Sequence, residues 1–152
     1  IVAGSRGGVA NIISAFKETP LFIQGHIQLY EKIMLRDNLP LPRFDREFLA
    51  VETSNANQCD YCTSHHTVAK NNHGVETDLP EAKRAILKKL AITVAKEPFV
   101  TPTLKNKFLE AGYEETQWLH AVNICSYFNF ANRLVYSMDL PLEEGFESTC
   151  KQ

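Results

Sequence analysis

Residues 47–66 read EFLAVETSNANQCDYCTSHH, and the spacing within this stretch decides the fold. Cys59 and Cys62 are one helical turn apart, and His66 follows one further turn along the same face. On a helix that begins at Cys59 or Asp60, two thiols and an imidazole would lie side by side. Because neighbouring thiols can close and reopen a disulfide, this arrangement is typical of thiol redox chemistry.

Helical spacing also runs through the other long segments of the chain. Pro40 and Pro42 interrupt it early, because proline cannot continue a helix. Asp45 and Asp78 each precede an apolar-periodic segment, and we expect both to cap helices. The predicted helices cover residues 20–35, 45–55, 59–73, 78–96, 101–111 and 114–138, with stops at Gly74 and Gly112. Since no segment alternates like a strand, the sequence predicts one all-α domain over residues 1–152, with about six or seven helices.

Composition bounds the classes of protein that this chain can represent. Its 152 residues are 44% hydrophobic, which is enough for one buried core. The net charge of −2 gives no indication of a nucleic-acid or anionic-membrane partner. No apolar run approaches the roughly 18–20 residues that a membrane span requires. Residues 1–10 contain no long apolar core, so we expect no signal peptide.

The four cysteines do not form the pattern of a disulfide scaffold. Only Cys59 and Cys62 are grouped. Cys125 lies on an apolar helix face and is expected in the core, while Cys150 in the polar tail is expected to be exposed. A single CxxC with unpaired companions fits a reducing compartment, so we expect a cytoplasmic protein.

A reactive cysteine needs a reason to ionise at neutral pH. A helix N-terminus supplies one through its unpaired N–H groups and its positive dipole end. Because Cys62 precedes His66 by one turn, we expect it to have the lower thiol pKa of the pair and to react first. Glu47 on the preceding helix could orient His66, and Glu52 is the rival carboxylate for that role.

These residues resemble a known family. Glu47, eleven intervening residues and then Cys-x-Tyr-Cys-x-x-x-His is similar to the AhpD-like/carboxymuconolactone decarboxylase superfamily, in its alkylhydroperoxidase and peroxidase-related branch. The Leu-Pro segment before Glu47, the glycine at 74 and the stretch NFANRL at 129–134 are also similar. The resemblance covers a core of about residues 20–140.

The resemblance implies an all-helical AhpD-like fold, a homo-oligomer, and peroxide reduction without flavin or haem. Cys62 corresponds to the peroxidatic cysteine and Cys59 to the resolving cysteine, with His66 and Glu47 as the proton relay. Tyr61 occupies a position that is histidine in the best-known alkylhydroperoxidases, and His65 is an additional imidazole that could partly replace it. The thiolate would reduce the peroxide and become a sulfenic acid, the second cysteine would close a disulfide, and an external dithiol would reopen it.

Two other classes of function remain open. A lactone decarboxylase belongs to the same superfamily, although its proton-transfer chemistry needs no paired CxxC. A non-enzymatic redox-sensing or metal-binding helical protein is the third possibility, because Cys59, Cys62 and a histidine could form part of a zinc site. A structural zinc site needs four ligands, and no second CxxC is present.

Overall fold

The computed structural model describes residues 10–149, which form helices and connecting turns without a strand. In chain order the α-helices are α1 (Asn11–Ser14), α2 (Pro20–Tyr30), α3 (Arg43–Ala56), α4 (Asp60–Asn71), α5 (Glu81–Lys96), α6 (Lys105–Glu110), α7 (Glu115–Ser137) and α8 (Phe146–Thr149). A π-helical turn, Glu31–Leu35, continues α2, and 3₁₀ segments cover Glu76–Asp78 and Pro98–Leu104. Between residues 10 and 149, six α-helices are longer than one turn. The predicted all-α class is confirmed.

Helix α3 is the central element of the fold. It packs against α4, α5 and α7, and most of its side chains are buried. Phe48 and Leu49 of α3 meet Leu87 of α5 and Phe128 of α7 in one core cluster, and all four are almost completely buried. Each such side chain stabilises the fold by about 1.5–3 kcal/mol relative to an exposed one. The polar groups of α3 that face α4 are therefore held on a rigid base.

The two predicted aspartate caps are wrong. Helix α3 begins at Arg43, two residues earlier than predicted, and Asp45 lies within its first turn. The Tyr113 hydroxyl donates a hydrogen bond to Asp45 at 2.7 Å, and burial raises the pKa of Asp45. Asp78 closes a 3₁₀ turn, and Pro80 precedes the first residue of α5. Asp45 and Asp78 lie within three residues of the observed starts of α3 and α5, but neither is the N-cap residue.

The segment predicted as one helix over residues 101–111 consists of two parts. Residues Pro98–Leu104 form a 3₁₀ helix, and α6 follows over Lys105–Glu110. Pro102 lies inside the 3₁₀ part, and its missing N–H removes one α-helical hydrogen bond there. Gly112, with a φ of +95°, ends α6 as predicted. Helix α7 spans the predicted range within one residue at each end.

Candidate active site

The link between α3 and α4 places Cys59 at the start of α4. Helix α3 ends in a Schellman motif: the Gln58 N–H donates to the Asn55 carbonyl at 2.9 Å, and the Cys59 N–H donates to the Ser54 carbonyl at 2.8 Å. Gln58 has a φ of +57°, the left-handed region that usually favours glycine. The Tyr136 hydroxyl from α7 donates to the carbonyls of Asn57 and Gln58 and holds this turn. The strained turn fixes the direction in which α4 begins.

Cys59 is the N-cap residue of α4, and Cys62 lies in its first turn. Neither thiol is part of a disulfide, and both are buried. A hydrogen bond from the Cys62 thiol is the largest contribution that lowers the pKa of Cys59, to about 7; the Cys62 backbone N–H and the Asn132 side chain add to it, against the effect of burial. The Cys62 thiol and the first turn of α4 thus stabilise a thiolate on Cys59. The expected lower thiol pKa of Cys62 stays a prediction.

The Asn132 side chain hydrogen-bonds to the Cys59 sulfur and is itself held by Ser54 and Asn57. Asn132 of α7 is almost fully buried, and its amide donates to the Ser54 hydroxyl at 3.1 Å. The Asn57 amide donates to the Asn132 and Asn129 side-chain oxygens at 3.0 and 2.9 Å. Asn132 therefore ties together α3, the turn and the Cys59 sulfur. The sequence had singled out the stretch around it, without a chemical role.

Glu47 lies directly beside His66. The Nδ1 atom of His66 is 2.6 Å from Glu47 Oε2, and the Arg43 Nε–H donates to Glu47 Oε1 at 2.8 Å. Glu47 is completely buried, which by itself raises its pKa, but the charge and hydrogen bond of His66, together with those of Arg43, lower it to about 2. A carboxylate that remains ionised here accepts the Nδ1–H of His66 and leaves Nε2 able to take up a proton.

The rival carboxylate lies elsewhere. Glu52 faces Lys88 of α5, with Oε2 3.6 Å from Nζ. His73, seven residues after His66, lines a separate surface groove with Arg43 and Arg46. Within residues 10–149, no three histidine, cysteine or acidic side chains are grouped as metal ligands. Of the two carboxylates considered, only Glu47 contacts the His66 imidazole.

Cys62, His65 and His66 face a small cavity of about 40 Å³. Because a buried water needs on the order of 10–15 Å³ of such space, the cavity has room for a few waters or a small peroxide. Its other walls are mainly apolar and aromatic, formed by Ile12, Ile13, His26, Ile27, Tyr30, Tyr61, Tyr127, Phe128 and Ala131. Cys59 is not part of the wall. A small molecule in this cavity would meet Cys62 before Cys59.

A second carboxylate reaches this site from the C-terminal segment. The Tyr61 hydroxyl donates to Glu143 Oε1 at 2.6 Å, and His65 Nε2 lies 2.9 Å from Glu143 Oε2. The backbone N–H of Asn11 also donates to Oε1. Sequence reasoning missed Glu143, because it is 82 residues from Tyr61 in a segment without helical periodicity, so no spacing signals the contact.

Cys125 and Cys150 are the two cysteines outside the CxxC motif. Cys125 is completely buried on α7, as expected, and burial raises its pKa to about 12. Such a thiol is not ionised at neutral pH and is a core residue. Cys150 lies outside the described residues, as do residues 1–9 of the chain start. Among the helices of residues 10–149, none is long and apolar enough to cross a membrane.

No protein-family model matches the sequence, and no curated protein matches it. Solved structures do match. The alkylhydroperoxidase AhpD core of an uncharacterized peroxidase-related protein from Ralstonia eutropha JMP134 superposes with a TM-score of 0.80 at 23% identity, covering 99% of this chain and 86% of that chain. An uncharacterized peroxidase-related protein from Silicibacter sp. TM1040 gives 0.81 at 16% identity, with coverages of 95% and 82%.

The debrominase Bmp8 has the same fold. Its apo structure superposes with a TM-score of 0.81 at 18% identity, covering 98% of this chain and 86% of that chain. A cysteine-to-alanine variant of Bmp8 in complex with 2,3,4-tribromopyrrole gives 0.77 at 20% identity. The chain therefore has the AhpD-like all-α fold, which is shared by proteins described as peroxidase-related and by a debrominase.

Proposed function

We propose that this protein is a thiol peroxidase in which Cys62 reduces a peroxide and Cys59 closes the disulfide, with Glu47 and His66 as the proton relay. One observation supports the proposal: Cys62 and His66 line the same small cavity, whereas Cys59 is buried and does not line it. We assign the two roles by access to the cavity rather than by thiol pKa, because a substrate in the cavity contacts Cys62 and not Cys59. The low thiol pKa at Cys59 serves the closing and the later reopening of the disulfide, in which a thiolate must attack Cys62 and then leave it.

The first step transfers the Cys62 proton to His66. The Nδ1–H of His66 is held by Glu47, so the imidazole accepts at Nε2, and the buried negative charge of Glu47 stabilises the imidazolium that forms. Arg43 balances Glu47 while the imidazole is still neutral. This charge arrangement lets His66 change its protonation state without leaving Glu47 unpaired.

The second step is attack of the Cys62 thiolate on the distal peroxide oxygen. The O–O bond breaks, an S–O bond forms, and the departing oxygen leaves as an alcohol or water after it takes up a proton. Cys59 then attacks the sulfenic acid, water leaves, and a Cys59–Cys62 disulfide remains. The peroxide gains two electrons and the two thiols lose them. An external dithiol, the third reactant, restores the pair by exchange.

A second candidate reaction is reductive debromination, which is supported by the likeness to Bmp8 and by the aromatic walls of the cavity. A thiol pair can supply its two electrons and a histidine its proton. Hydrogen peroxide fits the cavity of about 40 Å³ as it stands, which favours the peroxidase over a reaction that must admit a brominated pyrrole ring. Release of bromide from 2,3,4-tribromopyrrole by the reduced protein would favour this reaction over the peroxidase.

Titration of free thiols under denaturing conditions, before and after one equivalent of hydrogen peroxide, tests the proposal. The four thiols should fall by two, and peptide mapping should find the disulfide between Cys59 and Cys62. The Cys125→Ser variant is the matched control and should lose the same number. Stoichiometric zinc binding with no oxidation would favour the metal-binding class, and inertness to both reagents would favour the decarboxylase.

A further inference from the structure

The contacts of His65 with Tyr61 and Glu143 determine its protonation state. The Nδ1 atom lies 3.1 Å from the Tyr61 carbonyl oxygen, which can only accept a hydrogen bond, so Nδ1 carries a proton. The Nε2 atom lies 2.9 Å from Glu143 Oε2. A lone pair facing a carboxylate at that distance would be repulsive, so Nε2 also carries a proton. The alignment is that of an ion pair rather than a straight hydrogen bond.

That proton belongs to His65 when Glu143 is ionised. Burial by itself raises the pKa of Glu143, but the Asn11 backbone N–H, the Tyr61 hydroxyl and the charge of His65 together lower it. Both hydrogen-bond donors to Oε1 are uncharged, so His65 supplies the positive charge opposite this carboxylate. Both ring nitrogens of His65 thus face acceptor oxygens, which is the environment of an imidazolium.

His65 and His66 are adjacent in sequence but differ in their counter-charges. Glu47 is shared between His66 and the Arg43 guanidinium, so its charge is balanced while His66 is neutral. Within residues 10–149, His65 is the cationic partner of Glu143, and no arginine or lysine pairs with this carboxylate. Both imidazoles line the cavity beside Cys62. One is suited to accept a proton and the other to donate one.

We propose that Glu143 is a positioning residue that keeps His65 doubly protonated at the cavity wall, and that His65 donates the proton to the oxygen that leaves when Cys62 attacks the peroxide. This inference rests on the proposed peroxidase function and adds its general acid. The Glu143 side chain acts through His65 and through Tyr61, whose ring stacks on His65 at 4.6 Å between centroids. Phe146 covers the other side of the imidazole at 5.5 Å.

The protons balance over one turnover. His66 takes the proton of Cys62, and the thiolate breaks the O–O bond to give the sulfenic acid and an alkoxide. His65 gives its Nε2 proton to the alkoxide, and the alcohol forms. Cys59 then displaces the sulfenic hydroxyl, which leaves as water with the Cys59 proton. The proton on His66 restores the charge on His65 through water, so the site ends with both histidines as they began.

Nitrogen-15 NMR of the histidine rings tests the charge without any reaction. In the reduced wild-type protein at pH 7, both ring nitrogens of His65 should have imidazolium shifts. Glu143→Gln should convert His65 to the neutral form, while Glu144→Gln, the same charge change on the adjacent exposed residue, should not. A neutral His65 in the wild type, or a charged one in Glu143→Gln, would overturn the inference.

The dependence of rate on the leaving group tests the role. Tert-butyl hydroperoxide releases a strongly basic alkoxide that needs a proton, whereas peracetic acid releases acetate, which does not. Glu143→Gln and His65→Gln should each slow single-turnover disulfide formation with tert-butyl hydroperoxide, His65→Gln by roughly 10²-fold, the lower end for a positioned acid. Both should slow the reaction with peracetic acid much less than that with tert-butyl hydroperoxide, and Glu144→Gln should affect neither peroxide.

The outcomes separate this inference from the function on which it rests. If the wild type is oxidised by both peroxides and the variants slow both equally, or neither, the inference is wrong and the peroxidase stands. If neither peroxide oxidises the wild type, the proposed function fails and the inference falls with it. Should Glu143→Gln not fold, the His65→Gln rates decide, since Tyr61 can still hold the C-terminal segment through Glu143.

Discussion

The Nδ1 atom of His66 lies 2.6 Å from the Oε2 atom of Glu47, and this carboxylate is completely shielded from solvent. The contact joins α4 to α3 at the centre of the fold. Because Arg43 holds the other carboxylate oxygen, the orientation of the imidazole is fixed before any substrate binds. Glu47 and His66 are proposed to transfer the proton, and variants of this pair can be measured separately from variants of the two thiols.

Glu47→Gln should slow peroxide reduction by roughly 10²–10⁴-fold, the usual contribution of a positioned acid–base group, because the amide cannot stabilise the His66 imidazolium. His66→Ala should cost a similar factor, and the double variant little more, since both residues serve one proton path. Single-turnover rates of disulfide formation across pH provide the measurement. Glu52→Gln is the control; a loss there with full activity in Glu47→Gln would show that the wrong carboxylate was chosen.

The contact between Glu47 and His66 should also make the free energy of unfolding depend on pH. The pKa of Glu47 is about 2 in the folded protein against 4.5 for an unperturbed glutamate, so its stabilisation is fully present above pH 4.5 and is lost as pH falls towards 2. The loss is on the order of 3 kcal/mol. Urea unfolding at several pH values should therefore show the difference between wild type and Glu47→Gln shrinking below pH 4.5. Parallel pH dependences for the two proteins would contradict this.

Asn132→Ala should raise the pH at which Cys59 ionises, because the Asn132 side chain hydrogen-bonds to its thiolate. Thiolate absorbance near 240 nm, followed across pH, should move from a midpoint near 7 towards the ordinary thiol range. Asn129→Ala is the matched control, since Asn129 bonds Asn57 without being among the groups that lower the Cys59 pKa. Equal titration midpoints in Asn132→Ala and Asn129→Ala would show that Asn132 does not specifically lower the pKa of Cys59.

A symmetric homo-oligomer is expected from the exposed apolar side chains of α2 and α7. Leu21 is 83% exposed, Leu29 46% and Phe130 41%, and the rings of Phe22 and Phe130 are 6.4 Å apart, so the two exposed faces adjoin. Light scattering at micromolar concentration should give a multiple of the chain mass. Leu29→Glu should lower that mass and Phe99→Glu, on a different segment, should not; a monomeric wild type would contradict the prediction.

The positions of the helices could be predicted from the sequence where apolar spacing is long. The CxxC spacing predicted the start of α4, and the structure places Cys59 at its N-cap. Apolar spacing could not show whether Asp45 and Asp78 cap helices. A capping aspartate and an aspartate with a tertiary partner look alike in sequence, and only packing brings Tyr113 to Asp45.

The site was predictable only as far as local spacing reaches. Cys59, Cys62 and His66 are close because they share one helix, and Glu47 is close because α3 precedes α4 through a tight turn. Glu143 and Asn132 enter from distant parts of the chain, and no periodicity links them to α4. The lowered thiol pKa of Cys59 also depends on Asn132, which the spacing within residues 59–66 does not reveal.

The most direct measurement is mass spectrometry of the two single-cysteine variants after one equivalent of peroxide, with dimedone present to trap sulfenic acid. The account predicts that Cys59→Ser accumulates one dimedone adduct at Cys62, and that Cys62→Ser gives none at Cys59, because the cavity reaches Cys62 alone of the pair. An adduct at Cys59 in Cys62→Ser, with Cys62 unmodified in Cys59→Ser, would contradict the assignment and reverse the two roles.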